Sequence, residues 1–279
     1  VFRQVFSLGV NGQFADVSNS SWGGNTGSAG NSTRVVAIDA LLNATGKVAV
    51  VSSANSGPGT NTAGDPAVVR NGISVGATTG QANNPAYDTI ATFSSRGPQN
   101  FFNPVTGAVL QGVYAPVDLV APGENLTLAF YDATGVSTSN FNTNLAGTSF
   151  AAPLVAGGAA LMVDAAKALN LTQGTDGRVI RSVLMTSATK NAGWTNNSQS
   201  FSGTMVTGQG VDWTTGAGKM NLDRGYDVLL SGDRDLSGLG GGVINQMGWD
   251  YGQVSEGFDT DYAFNGLLGP GFIVTATLS

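Results

Sequence analysis

Ser149 follows Gly147 and Thr148 and heads a run, Phe150 to Leu169, that is apolar almost throughout. A serine at the start of a helix has two chemical advantages. The helix dipole favours negative charge there, and the serine's own N–H can donate to an oxyanion forming on an acyl group. Pro153 falls in the first turn, whose N–H groups have no intrahelical partner, so it does not interrupt the helix. Acyl transfer also calls for a donor opposite that N–H, and a side-chain amide can supply it. Asn55, within "VAVVSSANSGPG" (48–59), is the candidate. The missing part is a base. A serine hydroxyl needs an adjacent group to take its proton, and the 279 residues contain no histidine.

Each residue also has a plainer reading. Ser is a preferred N-cap, and Asn shortly before Gly-Pro is a common turn residue. The longer string decides between them. Gly-Thr-Ser-Phe-Ala-Ala-Pro-Leu-Val-Ala-Gly, residues 147–157, resembles the serine signature of the subtilases, the subtilisin-like serine proteases, at nearly every position. The Gly-x-Ser-x-Gly elbow of other hydrolases is absent, because Ala151 stands where its second Gly would be.

The resemblance runs over roughly residues 15–230. "ADVSNSSWGG" (15–24) is similar to the family's substrate-binding strand, with Ser21, Trp22 and Gly23 where Ser-Leu-Gly is usual. Asn55 maps onto the oxyanion asparagine, and Ser53 and Ala54 onto the adjoining substrate-binding positions. Ala54 replaces the usual Gly, so its methyl is expected to narrow the primary specificity pocket. "FSSRGP" (93–98) and "DLVAPG" (118–123) resemble two loops that precede the serine in subtilases.

The resemblance implies a secreted or extracellular endopeptidase that cleaves peptide or protein substrates through an acyl-enzyme on Ser149. Family members carry Asp, then His, then Ser, and the first two lie upstream of the substrate-binding strand. Neither Asp16, Asp39 nor Asp132 sits in an Asp-x-Gly context. The expectation is therefore an incomplete chain, inactive alone, whose partner is an upstream segment carrying Asp and His. The alternative is a non-catalytic extracellular binding or scaffold protein with a protease-like core. An upstream Asp-x-Gly and His-Gly-Thr would separate the two.

The elements that must hold these residues show in the periodicity. "STRVVAIDALLNATG" (32–46) places Val35, Ile38, Leu41 and Leu42 at helical spacing behind a Ser/Thr cap. "KVAVVSSA", "NGISVGAT", "ATFSSRGP" and "VDLVAPG" read as short strands, the first as one buried on both faces. Phe150–Leu169 predicts a central, buried helix. "GRVIRSVLMTSAT" (177–189) predicts another, with Val179, Ile180, Val183 and Leu184 on one face, and 216–230 a strand-and-helix closure. The fold class is α/β: a doubly wound parallel sheet with helices on both faces, subtilisin-like and incomplete at the N-terminus. Residues 1–230 form the catalytic domain. Residues 231–279, rich in Gly and Asp and ending in the alternating "GFIVTATLS", read as a truncated β-rich accessory domain.

Composition narrows the partners. A net charge of −6 without a basic cluster argues against nucleic acid. The absence of cysteine excludes a disulfide framework or thiolate metal site. The apolar run around 150–163 is broken by Pro and paired Gly and reads as too short for a membrane span. Asp233, Asp235 and Ser237 alternate loosely like a Ca²⁺ loop, although a solvated turn is the expectation and no metal site is assigned.

Overall fold

A strand with apolar or small residues at every position must be covered on both sides. Val48–Ser52 meets that requirement and forms β2, buried along its whole length. Val48 and Val50 join one core cluster, and Ala49 and Val51 the other. The computed structural model describes the chain apart from residues 25, 82–83, 132–134, 136–139, 202–203, 207, 233–241, 245–246, 254–259, 265–274 and 279.

Around β2 lie β1 (Val17–Ser20) and β3 (Ile73–Gln81), both parallel to it. β4 (Asn84–Ile90) folds back antiparallel onto the far end of β3. The hairpin β5 (Gln99–Phe102) and β6 (Val109–Tyr114) follows, anchored by buried Gln99, which donates to the Ser28 and Ala63 carbonyls, before β7 (Leu119–Glu124) enters parallel to β3. Among the described residues, β1 pairs with β2 alone, leaving its other edge bare.

Helices cover both faces. α1 (Thr33–Thr45) starts where the Ser32 hydroxyl accepts from the Val35 N–H and stops at Gly46, whose φ of 61° is the left-handed cap that glycine favours. Its Val35, Ile38 and Leu42 pack with Ala49 and Val51. On the opposite face, α2 (Thr148–Ala168) lays Ala151, Val155, Ala159 and Met162 over Val48, Val50, Val75 and Ala77. α3 (Gly177–Ser187) buries Val179, Ile180, Val183 and Leu184 as its spacing predicts. α4 (Leu222–Leu230) follows isolated bridges at Gly216 and Lys219 in place of the predicted short strand.

Two other expectations need correction. Residues 91–98 form turns, not a strand. Their serine hydroxyls satisfy backbone groups that a ladder would otherwise serve: Ser94 Oγ accepts from the Ala77 N–H at 3.0 Å and Ser95 Oγ from the Ser56 N–H at 3.0 Å. Nor is α2 buried all round. Leu154 and Leu161, seven residues apart on one stripe, are 46% and 60% exposed, because the sheet covers only the opposite face. By length and apolarity alone α2 would suffice to cross a membrane, despite Pro153 and the paired glycines. In the fold it is the packing partner of the sheet.

In the tail, β12 (Gly242–Ile244) and β13 (Tyr262–Phe264) pair in parallel, counting as β8 to β11 four short strands met below. Trp249 is buried in the main core and donates through Nε1 to the Leu229 carbonyl at 3.0 Å. Thr275–Leu278, the described part of the expected terminal strand, is not in a strand, and Asp233, Asp235 and Ser237 lie outside the described residues.

Candidate active site

The site lies at the carboxyl ends of the parallel strands, where open α/β sheets place their ligands. The antiparallel hairpin β8 (Leu126–Ala129) and β9 (Phe141–Leu145) leads away from β7 and back to the head of α2. Two smaller strands, β10 (Gln199–Phe201) and β11 (Thr204–Val206), form a separate hairpin. Gly147 caps α2 with φ 155° and ψ 146°, a conformation open essentially to glycine. Its N–H donates to the Gly123 carbonyl at 2.7 Å, which pins the head of α2 to β7. A Cβ on Gly123 would lie 2.5 Å from that of Ala77 and 3.0 Å from the Gly147 carbonyl oxygen.

Ser149 is half-buried in the first turn of α2. Its Oγ donates to the Ser21 carbonyl at 3.4 Å, and the Ser21 hydroxyl donates to the Ser149 carbonyl at 2.9 Å. The residues expected to be nucleophile and substrate strand are thus in direct contact, 128 residues apart in sequence.

Asn55 is exposed beside them. Its Oδ1 accepts from the Thr148 N–H at 2.9 Å and from Thr148 Oγ1 at 2.8 Å. An N-cap glycine offers no side chain, so Asn55 satisfies one of the orphan helix N–H groups from outside the helix. With both lone-pair directions of Oδ1 engaged, the amide cannot flip without losing two hydrogen bonds. Its Nδ2 donates to no described residue, and lies 3.6 Å from where a Gly147 Cβ would stand.

Thr148, which orients the Asn55 amide, is the site residue that sequence reasoning missed. Its place immediately before Ser149 in the signature was the available signal. Behind Asn55, the 93–98 turns brace the loop: the Gly57 N–H donates to the Phe93 carbonyl at 2.8 Å and the Ser95 N–H to the Ala54 carbonyl at 3.0 Å. Ala54 sits at φ 83°, so the methyl is carried in a conformation that suits glycine. Ser53 is fully buried, with no described partner for its hydroxyl.

Trp22 is 47% exposed, and Gly23 passes so close to the Asp65 carbonyl oxygen that a Cβ would meet it at 3.0 Å. Gly24 is held there by its N–H to that same carbonyl at 2.9 Å, and Gly27 by its N–H to the Ala63 carbonyl at 3.0 Å. Among the described residues, no backbone hydrogen bond involves Trp22 or Gly23. Their exposed main chain is free to pair with an extended peptide. All the residues read from the sequence as nucleophile, oxyanion donor and substrate strand therefore meet at one end of the sheet.

A hydroxyl at the head of an apolar helix, beside a fixed side-chain amide and an open backbone edge on an α/β scaffold, is a set of groups that acyl transfer can use. Comparison with known proteins makes the class specific. The model of the subtilase family matches residues 6–218, and the chain belongs to that family of serine proteases. It is 31% identical to Pyrolysin of Pyrococcus furiosus over 238 residues, 77% of this chain and 15% of Pyrolysin. It is 36% identical to serine protease AprX of Bacillus subtilis over 129 residues, 42% of this chain and 26% of AprX. The matches thus cover about a quarter or less of these relatives' length. The fold resembles the self-cleaved protease domain of PatA, with a TM-score of 0.51 and 21% identity over 78% of this chain and 63% of that one. It also resembles a protease from Pseudoalteromonas arctica, with a TM-score of 0.51 and 20% identity over 80% of this chain and 54% of that one.

Proposed function

We propose that this chain is the serine-bearing part of a secreted subtilisin-type endopeptidase. The observation that carries the reading is the pair formed by Ser149 and the Asn55 amide that Thr148 orients. An extended peptide lies antiparallel to Ser21–Gly23 and brings its scissile carbonyl to Ser149 Oγ. The hydroxyl attacks, and its proton passes to a histidine carried by an upstream segment. Charge gathers on the carbonyl oxygen, where the Ser149 N–H and Asn55 Nδ2 donate to it. The C–N bond then breaks, the amine leaves with the proton from the histidine, and water releases the acyl group from Ser149.

Three features support an upstream partner carrying the His and Asp: the chain has no histidine, β1 has a bare edge, and α2 has an uncovered apolar stripe. Between that edge and α2 lies a cavity of about 300 Å³ lined by residues such as Asp16, Val17, Ala160 and Val163. Without the base, hydrolysis by this chain alone should be undetectable, since the loss costs roughly 10⁶ in kcat, a figure measured on a subtilisin.

The test is kinetics on the full-length protein. Ser149→Ala should abolish both peptide hydrolysis and fluorophosphonate labelling. Asn55→Ala should lower kcat by about 10²–10³ with KM little changed, a magnitude likewise taken from a subtilisin. Asn55→Asp keeps the acceptor that caps α2 but removes the donor, so it separates the two roles of this residue. An Asn55→Asp enzyme with wild-type kcat removes Asn55 from the mechanism, and a full-length protein without hydrolysis or labelling leaves the scaffold reading.

A further inference from the structure

Arg34 stands at the second position of α1, in the first turn, where a helix dipole disfavours a cation. It is exposed, and among the described residues it makes no ion pair. Its guanidinium instead lies 5.5 Å from the centre of the Trp22 ring, within the range of a cation–π contact. Trp22 in turn follows Ser21, whose carbonyl touches the nucleophile. A cation placed against its own helix's field, with the ring of the proposed substrate-binding segment as its contact, breaks a local rule. Such breaks are expected where a residue serves function.

From this juxtaposition we propose that Arg34 is a specificity-determining residue, which selects an acidic side chain in the substrate upstream of the scissile bond. The inference rests on the endopeptidase reading and on Ser21–Gly23 as its substrate strand. Successive side chains of a peptide paired with that segment alternate between its faces, so one of them lies beside the Trp22 ring. There the indole offers a flat apolar wall for the methylenes of Glu or Asp, and the guanidinium presents donors to the carboxylate. The stacking holds Arg34 in one orientation before substrate arrives, which lowers the ordering cost of binding. Trp22 alone would make this subsite an apolar wall for small or flat side chains. Arg34 turns it into a cationic one.

The experiment uses the full-length protein and matched peptides that differ only by Glu or Gln at each of the four positions before the scissile bond. At one position, kcat/KM for the Glu peptide should exceed that for the Gln peptide by roughly two- to fivefold at low salt, the range of an exposed ion pair. The ratio should fall towards one in molar salt and in Arg34→Gln, and invert in Arg34→Glu. Arg34 is exposed, and fluorophosphonate labelling of Ser149 in each variant reports an intact site. A labelled, active wild type with no Glu preference, or an Arg34→Gln enzyme that retains the wild-type ratio, overturns the role of Arg34 alone. A full-length wild type that neither labels nor cleaves overturns the endopeptidase reading, and this inference with it.

Discussion

The proposed chemistry converges on the amide of a single asparagine, and what orients that amide is Thr148, the residue before Ser149. Thr148 donates twice to Asn55 Oδ1. Removing the hydroxyl leaves the backbone N–H as the only tether, and a singly held amide can swing its Nδ2 away from the reacting oxygen. Thr148→Val in the full-length enzyme should therefore lower kcat several-fold with a smaller change in KM, and Thr148→Ser should restore it. A fall in stability without this kcat-against-KM split would assign Thr148 a purely structural role. Ser149 and Asn55 could be singled out in the sequence because serine and asparagine are residue types that acyl transfer can use. The sequence could not reveal the partnership of Thr148 with Asn55, since a hydrogen bond between residues 93 apart exists only once the strands align. The same is true of Arg34, an ordinary helix residue until the fold brings it over Trp22.

At the scale of elements, the position of Ser149 depends on how closely α2 approaches β7. Gly123 permits that approach, because Ala77 and the Gly147 carbonyl occupy the space a side chain would need. Gly123→Ala is expected to cost about 1–3 kcal/mol, as overpacking does, and to push Gly147 and the head of α2 outward. Denaturant titration should register the lost stability, and slower fluorophosphonate labelling in the full-length protein should register the displaced serine. β2, α1 and α3 were legible from periodicity because their burial is regular, and the caps of α1, Ser32 and Gly46, marked its ends. Residues 91–98 were not, since a Ser-Ser pair looks the same in a strand as in a turn whose hydroxyls bind neighbouring backbone. Nor could apolar composition disclose which stripe of α2 remains open, because that depends on what lies above it.

Across the whole molecule, the ends of β1 and α2 are joined by charge. Asp16 pairs with Lys47 at 2.6 Å and with Lys167 at 2.5 Å. Burial pushes its carboxyl up, but the hydrogen bonds and charges of Lys167 and Lys47 outweigh this and hold it below its ordinary value of 3.8. A carboxylate whose folded value is depressed adds stability above its unfolded value and loses it as the pH falls through the folded one. Asp16→Asn should thus be less stable than wild type at pH 6, and the gap should close as the pH falls below about 3.8. Denaturation midpoints of both proteins across that range are the measurement, and a gap that stays constant removes the linkage.

The bare edge of β1 also has a kinetic meaning. An unpaired strand edge is a template for whatever strand reaches it first. The upstream segment proposed above, if carried in the same polypeptide, would act at an effective concentration in the millimolar range, far above that of a second copy at micromolar concentration. Tethering therefore wins the race during synthesis, whereas a chain made separately meets mostly its own kind. Sedimentation of the isolated chain should show association that rises with protein concentration, and Asn19→Lys, at the exposed position of β1, should reduce it by charging the strand. Reassembly with a separately made covering segment should accordingly yield most when this chain is added last, dilute, to an excess of that segment.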